Sequence, residues 1–189
     1  MSNESTDRPA TARGGAAAAA APGVPPVTAE DVRSLLIVCH ANVSRSVMAE
    51  AILRQLLAQR EAGDRFSIES GGIAYYARDG ALASLDARLA LEEIGIEVAA
   101  DTVSTDLKRH RHLVSRADVI FAMTAEQVAM LRQGFPEAQG KPIYTLKEFA
   151  GGAGDIDDPQ GQDTSVFNAC RDEILDCWLR SIERLLATC

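Results

Sequence analysis

The chain has 189 residues, enough for one domain of ordinary size with a sizeable core. Hydrophobic residues make up 47% and charged residues 24%, too mixed for a fibre. With 19 Lys and Arg against 27 Asp and Glu, the net charge of -8 disfavours sequence-independent nucleic-acid binding and docking on an anionic membrane, but leaves room for a local positive pocket.

Residues 1–28 read as a disordered Ala/Pro/Gly-rich tail. Arg8 and Arg13 precede the Ala16–Ala21 run like the start of a signal peptide. Six alanines ending at Pro22-Gly23 and Pro25-Pro26, however, lack the apolar core of about 7–15 residues that such a peptide needs. Residues 29–189 are the expected domain, and no stretch in them approaches the roughly 20 apolar residues that span a bilayer.

Leu35-Leu36-Ile37-Val38 is a continuous apolar run, the mark of a buried parallel strand. A short polar turn, Cys39 to Ser44, leads into a helix over Ser46–Glu61, with Val47, Met48, Ala51, Ile52 and Leu56 at helical spacing. Phe66 to Ser70 alternates as a second strand and stops at Gly71-Gly72. The next helix starts at Ser84, is expected to turn Leu85, Leu89, Leu91 and Ile94 inward, and stops at Gly95. Ser104 or Thr105 is a candidate cap for a helix running to about Arg116. Val119 to Met123 reads as a third strand. Thr124 then caps a helix ending near Gln133, and Ile143 to Leu146 is a shorter fourth strand. After a glycine- and aspartate-rich loop, Gly151 to Gln162, a last helix from Thr164 carries Val166, Cys170, Ile174, Cys177 or Trp178, and Leu185 inward. Strands alternating with helices predict an α/β fold whose parallel sheet is covered on both faces, with ligands at the C-terminal strand edges.

Cys39, Cys170, Cys177 and Cys189 show neither a CxxC pair nor close histidine spacing, so structural zinc is not expected. Reduced thiols in the cytoplasm are the expectation, with Cys170 and Cys177 as packing residues. A cysteine and an arginine six apart mean little alone. Cys39-His40-Ala41-Asn42-Val43-Ser44-Arg45-Ser46, however, sits where strand one becomes helix one. Such a turn aims successive N–H groups at one spot, and the helix N-terminus adds partial positive charge. A phosphate dianion fits that cup, and the same field stabilises negative charge on the Cys39 sulfur. Arg45 can bind two phosphoryl oxygens at once, and the Ser46 hydroxyl can donate to the thiolate. Together these groups describe a nucleophile attacking phosphorus. The departing oxygen needs a proton, for which the loop after strand four offers Asp155, Asp157 and Asp158.

The sequence resembles the low-molecular-weight protein tyrosine phosphatases, whose signature is a cysteine, five residues, arginine and serine directly after the first strand. The match runs from Cys39 to Arg45-Ser46, with Asn42 in the loop's asparagine position and Met48-Ala49-Glu50 continuing as in bacterial members. Ser70-Gly71, Asp86-Ala87-Arg88, Ala117-Asp118, Ala122-Met123-Thr124 and Asp158-Pro159 follow in family order over about Leu35–Leu186. The resemblance implies a flavodoxin-like three-layer sandwich around a four-stranded parallel sheet. It assigns Cys39 as nucleophile, Arg45 as phosphate clamp and Asp158, rather than its neighbours, as acid and base. His40, Ala41, Asn42, Val43, Ser44 and Ser46 become the phosphate-binding loop, with Asn42 and Ser46 organising it. Tyr75 and Tyr76 fall at the rim, where they can stack on a substrate ring. No metal or other cofactor is implied. The implied partner is a phosphorylated protein, and the expected state is a monomer or weak dimer in the cytoplasm.

Several positions depart from the family pattern. Ser44 stands where many members carry a second loop cysteine, Val47 replaces the usual proline, and Gln160 replaces a frequent aromatic. Ala100-Asp101-Thr102-Val103 lacks the histidine that supports the loop asparagine in relatives, so Asn42 is expected to be less firmly held. Arginine phosphatases of the family resemble this chain around Ala122-Met123-Thr124 and Thr145-Leu146-Lys147-Glu148, but carry threonine at the place of Val43. The apolar Val43 is closer to tyrosine-directed members, so phosphotyrosine is the expected substrate and phosphoarginine the alternative. Related arsenate reductases need two central cysteines, and none occurs between Cys39 and Cys170. A degenerate relative that binds phosphorylated partners without turnover is the second alternative. Outside the loop, Lys108 to His112 is expected to be a solvated helix face, and His40 to supply polarity at the rim.

Overall fold

The computed structural model describes residues 33–187; the expected tail and Cys189 lie outside the described residues. Strands β1 (Arg33–Cys39), β2 (Phe66–Gly72), β3 (Val119–Ala122) and β4 (Ile143–Thr145) form one parallel sheet in the order β2-β1-β3-β4. Side chains alternate across β1, as the pleat requires. Leu35, Ile37 and Cys39 join one core, and Leu36 and Val38 the other. Helices α1 (Arg45–Ala58), α2 (Leu85–Glu92), α5 (Leu146–Phe149) and α6 (Thr164–Leu186) contribute to the first core. Helices α3 (Arg111–Arg116) and α4 (Ala125–Gly134) contribute to the second. The result is the expected flavodoxin-like three-layer sandwich.

The longest helix, α6, is capped by the Asp163 carboxylate, which accepts from the N–H groups of Ser165 and Val166. Both Cys177 and Trp178 point inward. Trp178 is fully buried, stands edge-on to Phe121 at 5.1 Å, and donates its indole N–H to the Ala49 carbonyl of α1. Cys170 and Cys177 are buried in the same core, and burial pushes the Cys170 thiol up to about 12, an inert packing group. The strand expected to include Leu146 stops at Thr145, because Thr145 and Glu148 form a reciprocal cap that starts α5.

Three local expectations are corrected. Helix α2 buries Ala87, Ala90 and Leu91, whereas Leu85 and Leu89 face outward. Two alanines on the inner side let α2 pack close against α1 and α6, and that outweighs the leucine spacing. No helix starts at Ser104 or Thr105. Their stretch lies extended, with Ser104 N–H donating to Ala81 and Leu107 N–H to Gly72, so these amides already have partners. The basic run is not a solvated helix face: α3 begins only at Arg111. Lys108 donates to the Ala74 and Ala77 carbonyls and pairs with Asp106, while Arg109 and His110 pair with Asp79. This run staples residues 74–79 to the sheet edge.

Candidate active site

Strand β1 lies between β2 and β3, so its C-terminal end is the point where strand order reverses. Residues 40–44 leave β1 there and enter α1. Asn42 takes a left-handed backbone (φ 60°), a conformation asparagine tolerates better than most residues. That turn brings the Asn42 N–H to 3.2 Å from the Cys39 sulfur. The N–H groups of Val43, Ser44 and Arg45 meet no acceptor among the described residues, and the first turn of a helix leaves its amides unpaired.

Beneath the loop lies a buried polar network. The Asn42 side-chain amide donates to the hydroxyls of Ser46 and Ser70, each at 2.9 Å. Its oxygen accepts from the Thr105 N–H at 2.8 Å. Asn42 is therefore firmly held, against expectation, because a backbone amide at position 105 and the Ser70 hydroxyl fix it from the sheet side. Since Ser46 Oγ accepts from Asn42, its own proton is free for the Cys39 sulfur 3.0 Å away. Asn42 and Ser46 do not line the cavity above; they set the loop that does.

Arg45 is almost wholly buried. One guanidinium nitrogen donates to the Ile156 carbonyl at 3.0 Å, and the other pairs with Asp158. Ile156 is buried and donates its N–H to Met123 at the end of β3, which anchors the aspartate-rich loop over the site. Of the three aspartates, Asp158 alone lines the cavity. Asp155 caps the first amide of α4 at 2.8 Å. His40 lies between the Arg45 guanidinium (3.5 Å) and Glu126 (3.7 Å), and edge-on to Tyr76.

These groups surround a cavity of about 400 Å³. Cys39, His40, Ala41, Val43, Ser44 and Arg45 form its base, and Tyr76, Arg78, Ala81, Asp158 and Gln160 its wall. The Ser44 hydroxyl is buried without a protein partner. Burial first, then the Asp158 carboxylate and Cys39, raises the Tyr76 phenol above its ordinary value, so it stays neutral. Tyr75 does not line the cavity; it is 90% exposed and braces Tyr76 edge-on at 5.1 Å. A larger groove of about 600 Å³ lies behind the loop, beyond Asn42, Ser70 and Thr105, and contains no cysteine. The sequence places none of Ser70, Thr105, Ile156, Arg78 and Glu126 at the site: Thr105 reads there as a candidate helix cap and Ser70 only as the end of a strand in family order. All lie far along the chain from Cys39, and no spacing rule links them to it. Among the described residues, no group of three or more His, Cys, Asp or Glu is placed to hold a metal, and no helix is long and apolar enough to cross a membrane.

A cysteine sulfur and a guanidinium at the base of an amide-lined cup can hold a tetrahedral oxyanion. The chain belongs to the low molecular weight phosphotyrosine protein phosphatase family, whose model matches residues 34–186. It is 36% identical over 152 residues to a protein-arginine-phosphatase of Geobacillus stearothermophilus, covering 80% of this chain and 95% of that protein. It is 32% identical to the low molecular weight protein-tyrosine-phosphatase Ptp of Acinetobacter johnsonii, covering 72% and 86%. Among solved structures, a variant of the YwlE arginine phosphatase with a phosphorylated active-site serine superposes with a TM-score of 0.71 at 30% identity, covering 82% of this chain and 95% of that one.

Proposed function

We propose that the chain is a cysteine-dependent phosphatase that hydrolyses phosphotyrosine in proteins through a phosphocysteine on Cys39. The observation that carries this reading is the Cys39 sulfur, held by the Ser46 hydroxyl and the Asn42 amide in the cavity that Arg45 and Asp158 close. The substrate dianion enters the cup, takes the unpaired amides, the Ser44 hydroxyl and Arg45, and so releases the Asp158 carboxylate from its ion pair to take up the proton that the Cys39 thiol loses as it becomes a thiolate. The Cys39 thiolate attacks phosphorus, and the bond to the tyrosyl oxygen breaks. The Asp158 carboxyl gives its proton to that oxygen. Water then attacks the phosphocysteine and gives a proton to the Asp158 carboxylate. The S–P bond breaks, and inorganic phosphate leaves. The amides and Arg45 remain on the three equatorial oxygens throughout, stabilising charge as it redistributes.

Tyrosine is favoured by the cavity wall. Val43 is apolar, Tyr76 presents an aromatic ring, and the Arg78 cation favours a phosphate monoester over a phosphoramidate whose guanidinium adds positive charge. Phosphoarginine is the second reading, favoured by the 36% identity to a protein named for that activity. Cytoplasmic location accompanies either reading, supported by free thiols at Cys39, Cys170 and Cys177. The test is steady-state hydrolysis of an aryl phosphate beside phosphotyrosine and phosphoarginine peptides. Cys39→Ser is expected to abolish turnover. Asp158→Asn is expected to slow it by about 10²–10⁴-fold, most for leaving groups of high pKa. Faster hydrolysis of the phosphoarginine peptide would choose the second reading. Phosphate-competitive binding without turnover in the wild type would mark a binding relative.

A further inference from the structure

Large apolar side chains on the surface are not scattered evenly. Among the described residues, six of the seven exposed ones fall between positions 75 and 103: Tyr75, Tyr76, Leu82, Leu85, Leu89 and Val103. This stretch frames the cavity. Tyr76, Arg78 and Ala81 are in its wall, and Leu82 follows Ala81 directly. Leu82 pairs with Val103 in an antiparallel bridge. The Ser84 N–H donates to the carbonyl of Val43, a residue of the cavity floor, at 2.7 Å. The start of α2 is thus pinned to the phosphate loop, with Leu85 and Leu89 facing outward one turn apart at 63% and 42% exposure. Exposed apolar side chains gathered in the stretch that leads out of a polar cavity wall mark a contact surface rather than chance exposure.

Charge narrows the occupant. Lys108 is satisfied by Asp106, and Arg109 and His110 by Asp79. Arg78 is exposed at the cavity wall, and no carboxylate pairs with it among the described residues, although the chain carries a net charge of -8. A cation without a carboxylate partner in the cavity wall, followed along the chain by an apolar strip, matches a polypeptide with an acidic residue beside its phosphorylated one and bulky apolar residues a few positions away. We infer that Arg78 and the strip Leu82, Leu85, Leu89 and Val103 are a docking surface for the protein substrate, selecting phosphotyrosine in an acidic and apolar segment. This rests on the phosphotyrosine reading and adds to it what lies on either side of the tyrosine.

The test compares one small aryl phosphate with three phosphotyrosine peptides. The first peptide has Glu next to the phosphotyrosine and Leu or Phe two to four positions away on both sides. The second has Lys for that Glu, and the third has Ser for the apolar residues. The first is expected to exceed the other two by about ten-fold in kcat/KM, chiefly through KM. Leu85→Asp with Leu89→Asp is expected to remove the apolar preference, leaving aryl phosphate turnover within about two-fold of wild type. Arg78→Glu is expected to reverse the order of the Glu and Lys peptides. Equal kcat/KM for all three peptides, with aryl phosphate hydrolysis intact, would overturn the docking surface alone. Failure of the wild type to hydrolyse the aryl phosphate would overturn the phosphatase reading beneath it. A concentration-dependent dimer that Leu85→Asp with Leu89→Asp dissociates would assign the strip to a second copy of the chain and overturn a substrate role.

Discussion

Asn42 shows how one side chain joins backbone shape to chemistry. Its positive φ is a strain that alanine would feel at about 1–2 kcal/mol. Its amide also satisfies two hydroxyls and one backbone N–H beneath the nucleophile. Asn42→Ala loses both contributions. It is expected to lower stability by about 2–4 kcal/mol, since orphaned buried groups add to the backbone cost, and kcat by about 10²-fold. Asn42→Gly keeps the backbone free to turn but removes the network. Urea denaturation should therefore place Asn42→Gly between wild type and Asn42→Ala, while kcat stays low in both. Equal kcat for Asn42→Gly and wild type would show that the backbone turn alone positions Cys39. The Cys-to-Arg spacing was legible in the sequence, and the loop asparagine was implied by the family resemblance. The partners of Asn42 were not, because Ser70 and Thr105 lie 28 and 63 residues further along.

Strand β2 ends in two glycines whose reason appears only when the elements are assembled. A Cβ on Gly72 would lie 2.9 Å from the Ala41 carbonyl carbon, 2.9 Å from the Ala77 Cβ and 3.0 Å from the His40 oxygen. Two of those atoms are backbone of the phosphate loop, which cannot swing aside as a side chain can. Gly72→Ala is therefore expected to push the loop off its amide geometry and lower kcat by about ten-fold or more. Far-ultraviolet circular dichroism is expected to stay near wild type. Unchanged kcat would mean that Ala77 and the loop give way without cost. Glycine at a strand end is readable from sequence as a stop, but close approach of another loop is not. Helix α2 is the parallel case: leucine spacing predicts an inward Leu85 and Leu89, yet Ala87 and Ala90 make the close contact. Apolar periodicity identifies a helix more securely than it identifies its buried side, because the partner's shape chooses the side.

The wall around the active cavity is held to the sheet by a chain of ion pairs and hydrogen bonds running through the whole edge. Asp79 accepts from the Asp106 N–H and pairs with Arg109 and His110; Asp106 pairs with Lys108, which in turn holds the Ala74 and Ala77 carbonyls. The Asp106 N–H first, and then His110 and Arg109, hold the Asp79 carboxyl below its ordinary value of 3.8. A depressed carboxylate contributes stability that is fully present above that value and is lost as pH falls through the lower folded one. Asp79→Asn is therefore expected to lower the urea midpoint near pH 6, and the gap from wild type should close in acid below pH 3.8. A gap of the same size at both pH values would mean that Asp79 acts through packing rather than charge.

Over the whole molecule, regularities of short range are readable in the sequence. A four-residue apolar run made β1, the Cys39-to-Ser46 pattern marked the turn into α1, Thr124 capped α4, and alternation of strand and helix implied the parallel sheet. Each depends on hydrogen bonds and side-chain spacing within a few residues, which chain order alone contains. Assembly settled a different set of facts: which of three aspartates lines the cavity together with Cys39, what buttresses the loop asparagine, which side of α2 is bare, and which cation of the cavity wall has no carboxylate partner among the described residues. These turn on contacts between segments up to 113 residues apart, such as Arg45 with Asp158. Their geometry is set by how closely the two layers of helices pack on the sheet, a property of shape and volume that no local pattern carries.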